Sequence, residues 1–364
     1  MATLLDQLRT LSAVDCDTLD AQVAAKFGPY VDCTSNQAIA FAELSKVDSD
    51  GKPLRWQLIA DAIQVARWQF GKQTDATLEE LAVELMMVNL SLQIAPHTTG
   101  YLHVQTNPKL AYCTQKTVKN AERIISHFKQ LAPDMDTNRV CIKIPSTWEG
   151  LQACRELEGR GITSLATIIF SLEQTALAAN AGCRYIAPYV NELRVHFDPG
   201  YIDTNPALPF TSAAQAYLDS LPSNDKKRRT EVVAASLTSI DQVMQLAGTH
   251  NITISPLLFA ELASTPAAGW DGAAGIGKAL QAIQTTTTAM TTATATATLL
   301  EDKVRNGLEK AVRDEVLWRL AFTRAEGGRC EAKLAQALSI FADVQEQLEG
   351  MVRNLEAKKW AENV

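Results

Sequence analysis

The chain has 364 residues, 46% hydrophobic and 21% charged, with 34 Lys and Arg against 41 Asp and Glu, a formal charge of −7. This apolar fraction excludes a wholly disordered chain, and the length suits two average domains or one α/β barrel with extensions. The acidic balance argues against nucleic-acid binding, because no basic excess is present to displace phosphate counterions.

The N-terminus, MATLLDQLRTL, lacks the apolar run and small-residue cleavage site of a secretory leader. Runs rich in β-formers follow at 11–17 and 30–35. Residues 77–93 then carry Leu78, Leu81, Leu85, Val88 and Leu92 at helical spacing. Thr77 and Glu80, three apart at its start, predict a capping box. Further strand runs lie at 101–105, 139–144, 163–169, 184–190, 231–236 and 251–256, separated by amphipathic stretches. Lys226-Lys227-Arg228-Arg229, the only basic cluster, reads as a solvated loop.

Eight strands alternating with helices predict a parallel sheet, and eight is the number that closes a barrel. A doubly wound open sheet is the alternative, but its fingerprint is missing, since Gly272-x-x-Gly275-x-Gly277 follows no strand. Residues 285–298 are nearly all Thr and Ala, which predicts a surface insertion or linker. Helices are expected at 299–325 and 330–357. The second carries Leu334, Leu338, Phe341, Val344, Leu348, Met351 and Leu355, a stripe for the barrel or for a second subunit. The expected fold is α/β: one domain over 1–364, a TIM (β/α)8 barrel with additional C-terminal helices.

No run approaches the ~20 apolar residues of a membrane span. Seven cysteines are scattered without a Cys-x-x-Cys pair, so neither a disulfide framework nor a zinc site is indicated. No metal is expected, and a reduced, cytoplasmic protein is.

The most informative residue is Lys143, within Val140-Cys141-Ile142-Lys143-Ile144. Strand alternation puts Val140, Ile142 and Ile144 on one face and Lys143 on the other. In a barrel such a lysine points inward near the C-terminal mouth. Burial disfavours an ammonium, and a neutral amine can attack a carbonyl to form a Schiff base. On an edge strand the same lysine would only snorkel to water. Asp17, Asn36, Gln105, Thr167, Tyr189 and Ser236 fall at or just past predicted strand ends, where barrel enzymes gather their catalytic side chains. Taken singly, each also suits loop capping. His103 and His196 lie near this rim but lack metal-ligand spacing.

The segment VCIKIPSTWEGLQACRELEGRGI (140–162) resembles the Schiff-base segment of transaldolases, and AVDCDTLD (13–20) and DCTSNQ (32–37) resemble their two early strands. The likeness extends to EVLWRLAF at 315–322. It implies an α/β barrel that uses a lysine imine and no cofactor, acting on a small carbonyl or sugar-like substrate, as a homo-oligomer, most simply a dimer. It further implies that Lys143 forms the imine, Asp17 is the acid/base, and Asn36 hydrogen-bonds the bound carbon chain. Thr167 would hold the catalytic water, and Ser236 would meet the substrate's far end.

Several positions depart from transaldolases. Gln105 replaces a glutamate, Leu165 an asparagine, Ala187 a serine and Tyr189 a phenylalanine. All four match the related fructose-6-phosphate aldolases, in which the tyrosine and glutamine hold the water and the donor unit is released. Glu192 stands where both relatives have an arginine, Thr238 where transaldolases have another, and Gln37 where the family has proline. Each lost arginine contact to phosphate should cost ~1.5–3 kcal/mol, with Arg194 and His196 the candidates to compensate. The expected function is a class I aldolase or transaldolase-type reaction on an unphosphorylated carbonyl compound in a specialised biosynthetic pathway. An ordinary transaldolase of the pentose phosphate pathway is the alternative. A catalytically silent barrel that binds a partner is a third reading.

Overall fold

The eight β-rich runs form β1 (Ala13–Asp17), β2 (Cys33–Thr34), β3 (Leu102–Gln105), β4 (Val140–Pro145), β5 (Ser164–Ile169), β6 (Tyr185–Pro188), β7 (Glu231–Ala234) and β8 (Asn251–Ile254). Each strand pairs in parallel with the next, and β8 pairs with β1, closing the barrel. The computed structural model describes residues 2–71, 75–222, 229–270 and 305–362. The glycines at 272–277, the Thr/Ala tract at 285–298 and residues 226–228 lie outside the described residues. Arg229 pairs with Asp219.

Every residue of β4 and β5 is buried, so these strands are covered on both faces. Val140, Ile142 and Ile144 therefore face the helices while Cys141 and Lys143 face the lumen. The inward direction of that alternate set is visible at His103 of β3, whose ring lies 5.3 Å from that of Tyr185 on β6. Those strands are not neighbours in the barrel, so the contact crosses its interior.

The helices are α1 (Leu4–Leu11), α2 (Ala21–Phe27), α3 (Gln37–Leu44), α4 (Trp56–Phe70), α5 (Leu78–Ile94), α6 (Thr114–Leu131), α7 (Trp148–Gly159), α8 (Leu172–Ala181), α9 (Leu208–Ser220), α10 (Ile240–Gln245) and α11 (Pro256–Ser264). The Thr77–Glu80 capping box forms as expected and starts α5. The expectation of one helix over 299–325 needs correction. Residues 305–311 are helical, and a separate α12 (Glu315–Arg324) begins after Asp314. Asp314 is extended and accepts the Leu317 N–H at 3.0 Å, so it caps a new helix instead of continuing the old one. The last helix, α13 (Arg329–Glu362), is longer than expected. It packs against α3 and α5, with Leu334, Leu338, Phe341, Val344, Leu348 and Val352 all buried. The stripe thus covers this chain's own barrel.

Candidate active site

A cavity of about 860 Å³ opens beyond the C-terminal ends of the strands. Lys143 enters it from β4 and Asp17 from the last position of β1. Asn36, Tyr189, Ser236 and Ser255 line it from just past β2, β6, β7 and β8. Barrel strands splay their carboxyl ends around one mouth, so residues far apart in the chain converge there.

Lys143 is only 2% exposed, and among the described residues its Nζ has no hydrogen-bond or ion-pair partner. Asp17 is held by Thr34, whose hydroxyl donates to Oδ1 at 2.5 Å and lies 2.6 Å from the Thr253 hydroxyl. This chain fixes the carboxylate's rotamer at the cavity wall. Asn36 caps α3 by accepting the Ile39 N–H at 3.0 Å on its Oδ1, which leaves its amide N–H groups to the cavity it lines. Gln37 anchors the same helix start, its Nε2 donating to the Thr106 carbonyl at 3.1 Å.

Gln105 and Leu165 flank Lys143 in register on β3 and β5, and Ala187 stands beside Thr167 on β6. Both side-chain heteroatoms of Gln105 and the Thr167 hydroxyl are buried without a protein partner. Buried polar atoms in this state are costly unless something satisfies them, and a water or a substrate oxygen is of the right chemistry. Thr167 sits at a β-bulge. The β5–β6 register shifts between Thr167 and Ile169, and Ile168 adopts φ +54°, a left-handed conformation unusual for a β-branched residue. Gln174 of α8 holds the bulge. It donates to the carbonyls of Ser146 (3.1 Å) and Ile168 (3.2 Å) and accepts the Phe170 N–H at 2.8 Å.

Below this layer the lumen is polar. Asp32 accepts from the Tyr101 N–H at 2.6 Å and lies 3.1 Å from His103 Nε2. Burial alone would raise the Asp32 pKa, but these hydrogen bonds and the nearby imidazole bring it below the usual carboxylate value. Asp15 is fully buried, and burial together with the Asp32 charge pushes its carboxyl well above the usual carboxylate range, which favours the protonated form. Its Oδ1 accepts the Asp32 N–H at 3.0 Å.

The expected phosphate end is rearranged. Glu192 does not line the cavity. It accepts from Tyr201 at 2.9 Å and from Gln336 at 3.0 Å, and it lies 3.8 Å from Lys333 of α13. Lys333 and Tyr201 draw this carboxylate away from the cavity, so it does not take the place of the arginine that its relatives have there. Arg194 is also turned aside, pairing with Asp198 and stacking on the Tyr201 ring at 4.5 Å. Thr238 lines the cavity, its hydroxyl donating to the Gln242 side-chain Oε1 at 3.2 Å. His196 lines it too, 2.9 Å from the Ser236 hydroxyl. Its ring is accessible from the mouth, yet the surrounding protein still disfavours the imidazolium and lowers its pKa. Among the described lining residues, Lys143 is therefore the one lysine or arginine.

Sequence reasoning missed Thr34, Thr253 and the α13 residues Ile340, Phe341, Asp343, Val344 and Gln347, all of which reach the site or its rim. The two threonines share strand parity with Asn36 and Ser255, a signal that period-two counting could have used.

A family model described as Transaldolase/Fructose-6-phosphate aldolase matches residues 14–316. A transaldolase of Nostoc punctiforme is 33% identical over 273 residues, 72% of this chain and 77% of that protein. A transaldolase of Methylococcus capsulatus is 30% identical, covering 72% and 78%. A probable transaldolase of Dictyostelium discoideum is 31% identical, covering 73% and 80%. Matches of this length across the barrel and its lysine strand assign the fold and the type of reaction together. The chain belongs to the transaldolase/fructose-6-phosphate aldolase family and is an enzyme of the aldolase/transaldolase type.

Proposed function

We propose that the chain makes or breaks a carbon–carbon bond next to a carbonyl through an imine on Lys143, with a substrate that carries no phosphate. The observation that carries this reading is the cavity's lining: Lys143 opens on it, and among the described residues no arginine and no second lysine lines it to hold a phosphate. The Lys143 amine adds to the substrate carbonyl carbon, and the carbinolamine loses water to give the imine. Asp17 then takes the proton from the β-hydroxyl as the Cα–Cβ bond breaks. The bonding electrons pass into the protonated imine, giving an enamine and a free aldehyde. Run backwards, the same steps form the bond. Asn36 would hold the carbon chain. Gln105, Thr167 and Tyr189 would place the water that is released on imine formation and consumed on its hydrolysis. Leu165 and Ala187 would shape the wall beside the lysine, and Ser236 and Thr238 would meet the far end. A recruited copy of the family serving a specialised biosynthetic pathway fits such a change of substrate.

The names of the relatives favour a second reading, transfer of a dihydroxyacetone unit between sugar phosphates. A coupled assay with fructose 6-phosphate and erythrose 4-phosphate separates the two. The proposal expects slow transfer that 10 mM inorganic phosphate does not inhibit. Robust transfer inhibited by phosphate would overturn it.

A further inference from the structure

We infer that the substrate is a hydroxy ketone or aldehyde with an uncharged apolar body, an alkyl chain or ring, seated on the wall made by α3, α11 and α13. This rests on the imine reading above and names the substrate class for it. Size is the first reason. About 860 Å³ lies near the upper end of ligand pockets, roughly 300–1,000 Å³, which enclose drug-sized molecules. A three-carbon donor with a short acceptor would leave most of it unfilled.

The second reason is how the lining is divided. The strand ends supply the polar groups, Lys143, Asp17, Asn36, Thr253 and Ser255. The facing wall supplies Ile39 and Phe41 from α3, Leu257 and Leu258 from α11, and Ile340 and Val344 from α13. A polyhydroxylated sugar laid against that wall would give up water at its hydroxyls and find only Asp343 and Gln347 of α13 as partners in exchange. An apolar body loses nothing there and removes apolar surface from water. Leu257 is 78% exposed at the rim, so surface of this kind stands ready to be covered.

The third reason is charge. The rim carries the carboxylates Asp198 and Asp343, and Arg194 is committed to Asp198 and Tyr201. An anionic tail would meet carboxylates, and a cationic one would lose its water against the apolar wall, so the body is neutral. Continuity of this wall with the lysine site favours a substrate over a macromolecular partner as its occupant.

The test uses the full-length protein and a series of 1-hydroxy-2-alkanones of three, five, seven and nine carbons, each reduced with borohydride. Reduction converts the imine C=N into a stable secondary amine that peptide mapping locates. At Lys143, the concentration giving half-maximal labelling should fall about two- to fourfold per added methylene up to the length of the wall. Leu257→Asp should flatten that gradient. Labelling of Lys143 that is independent of chain length overturns the apolar-body inference while leaving the imine reading intact. A dimer found for the unaltered protein and lost in Leu257→Asp would assign the rim to a second copy and overturn the inference. No labelling by any member sinks the imine reading alone. Calorimetry of Lys143→Met with the matching alkane-1,2-diols then decides the inference, since affinity that rises with chain length supports it and flat binding overturns it.

Discussion

Lys143 and Asp15 show how differently one barrel interior treats two buried ionisable residues. Lys143 opens on a cavity, whereas Asp15 lies two residues below Asp17, sealed between Asp32 and the lumen. Burial raises the Asp15 pKa, so above about pH 4, the ordinary aspartate value, the folded state binds a proton that the unfolded state has released. Stability conferred by that protonated form therefore declines as pH rises from about 4 towards the folded value, by up to ~1.4 kcal/mol per pH unit. Asp15→Asn keeps an oxygen for the Asp32 N–H and cannot ionise. Its stability relative to wild type, measured by urea unfolding from pH 4 to 7, should improve steadily with pH. A difference that stays constant, or that falls with pH, would show that Asp15 is ionised in the fold. At this scale the sequence was partly legible. A lysine in an otherwise apolar strand is conspicuous, and so is an aspartate closing one. Thr34 and Thr253 were not, because hydroxyls are common near strand ends and only the closed barrel brings these two within 2.6 Å. The direction of Glu192 was equally hidden, since Lys333, from a distant part of the chain, sets it.

Among the elements, β5 has the most unusual backbone. Its bulge places the Thr167 hydroxyl, and Gln174 supplies three hydrogen bonds around it, to the Ser146 and Ile168 carbonyls and from the Phe170 N–H, beside the left-handed Ile168. Removing them leaves buried backbone groups unpaired. Gln174→Ala should cost about 2–4 kcal/mol in urea unfolding. It should also slow imine trapping at Lys143 under conditions where the variant is still folded. Lost stability with an unchanged trapping rate would make the bulge structural only. Elements were the most legible scale overall. Each of the eight β-rich runs became a strand because its apolar and β-branched residues suit a buried parallel sheet. Ends were trimmed where ladder pairing stops, as at β2, reduced to Cys33–Thr34. The break before α12 was missed because LWRLAF continues a helical pattern, while the cap at Asp314 interrupts the backbone.

At the scale of the molecule, the barrel and the C-terminal helices together define the site. Lys109 pairs with Glu349 at 2.7 Å, the Trp318 indole donates to the Glu173 carbonyl at 2.8 Å, and Lys333 lies 3.4 Å from Asp203. These contacts hold α12 and α13 over the strand ends, where α13 supplies much of the apolar wall. Family membership and the barrel were readable from the lysine segment and the strand rhythm. What that helix does to the mouth was not, because an amphipathic stripe states that a face is buried without stating where. The central claim is imine chemistry at Lys143 without phosphate recognition. Its most direct test is intact-mass spectrometry after borohydride reduction with hydroxyacetone, dihydroxyacetone and fructose 6-phosphate in separate reactions, on wild type and Lys143→Met. The account predicts an adduct mapped to Lys143 with at least one unphosphorylated ketone, no better labelling by the sugar phosphate, and no adduct in the variant. Labelling by fructose 6-phosphate alone, or an adduct that survives in Lys143→Met, would contradict it.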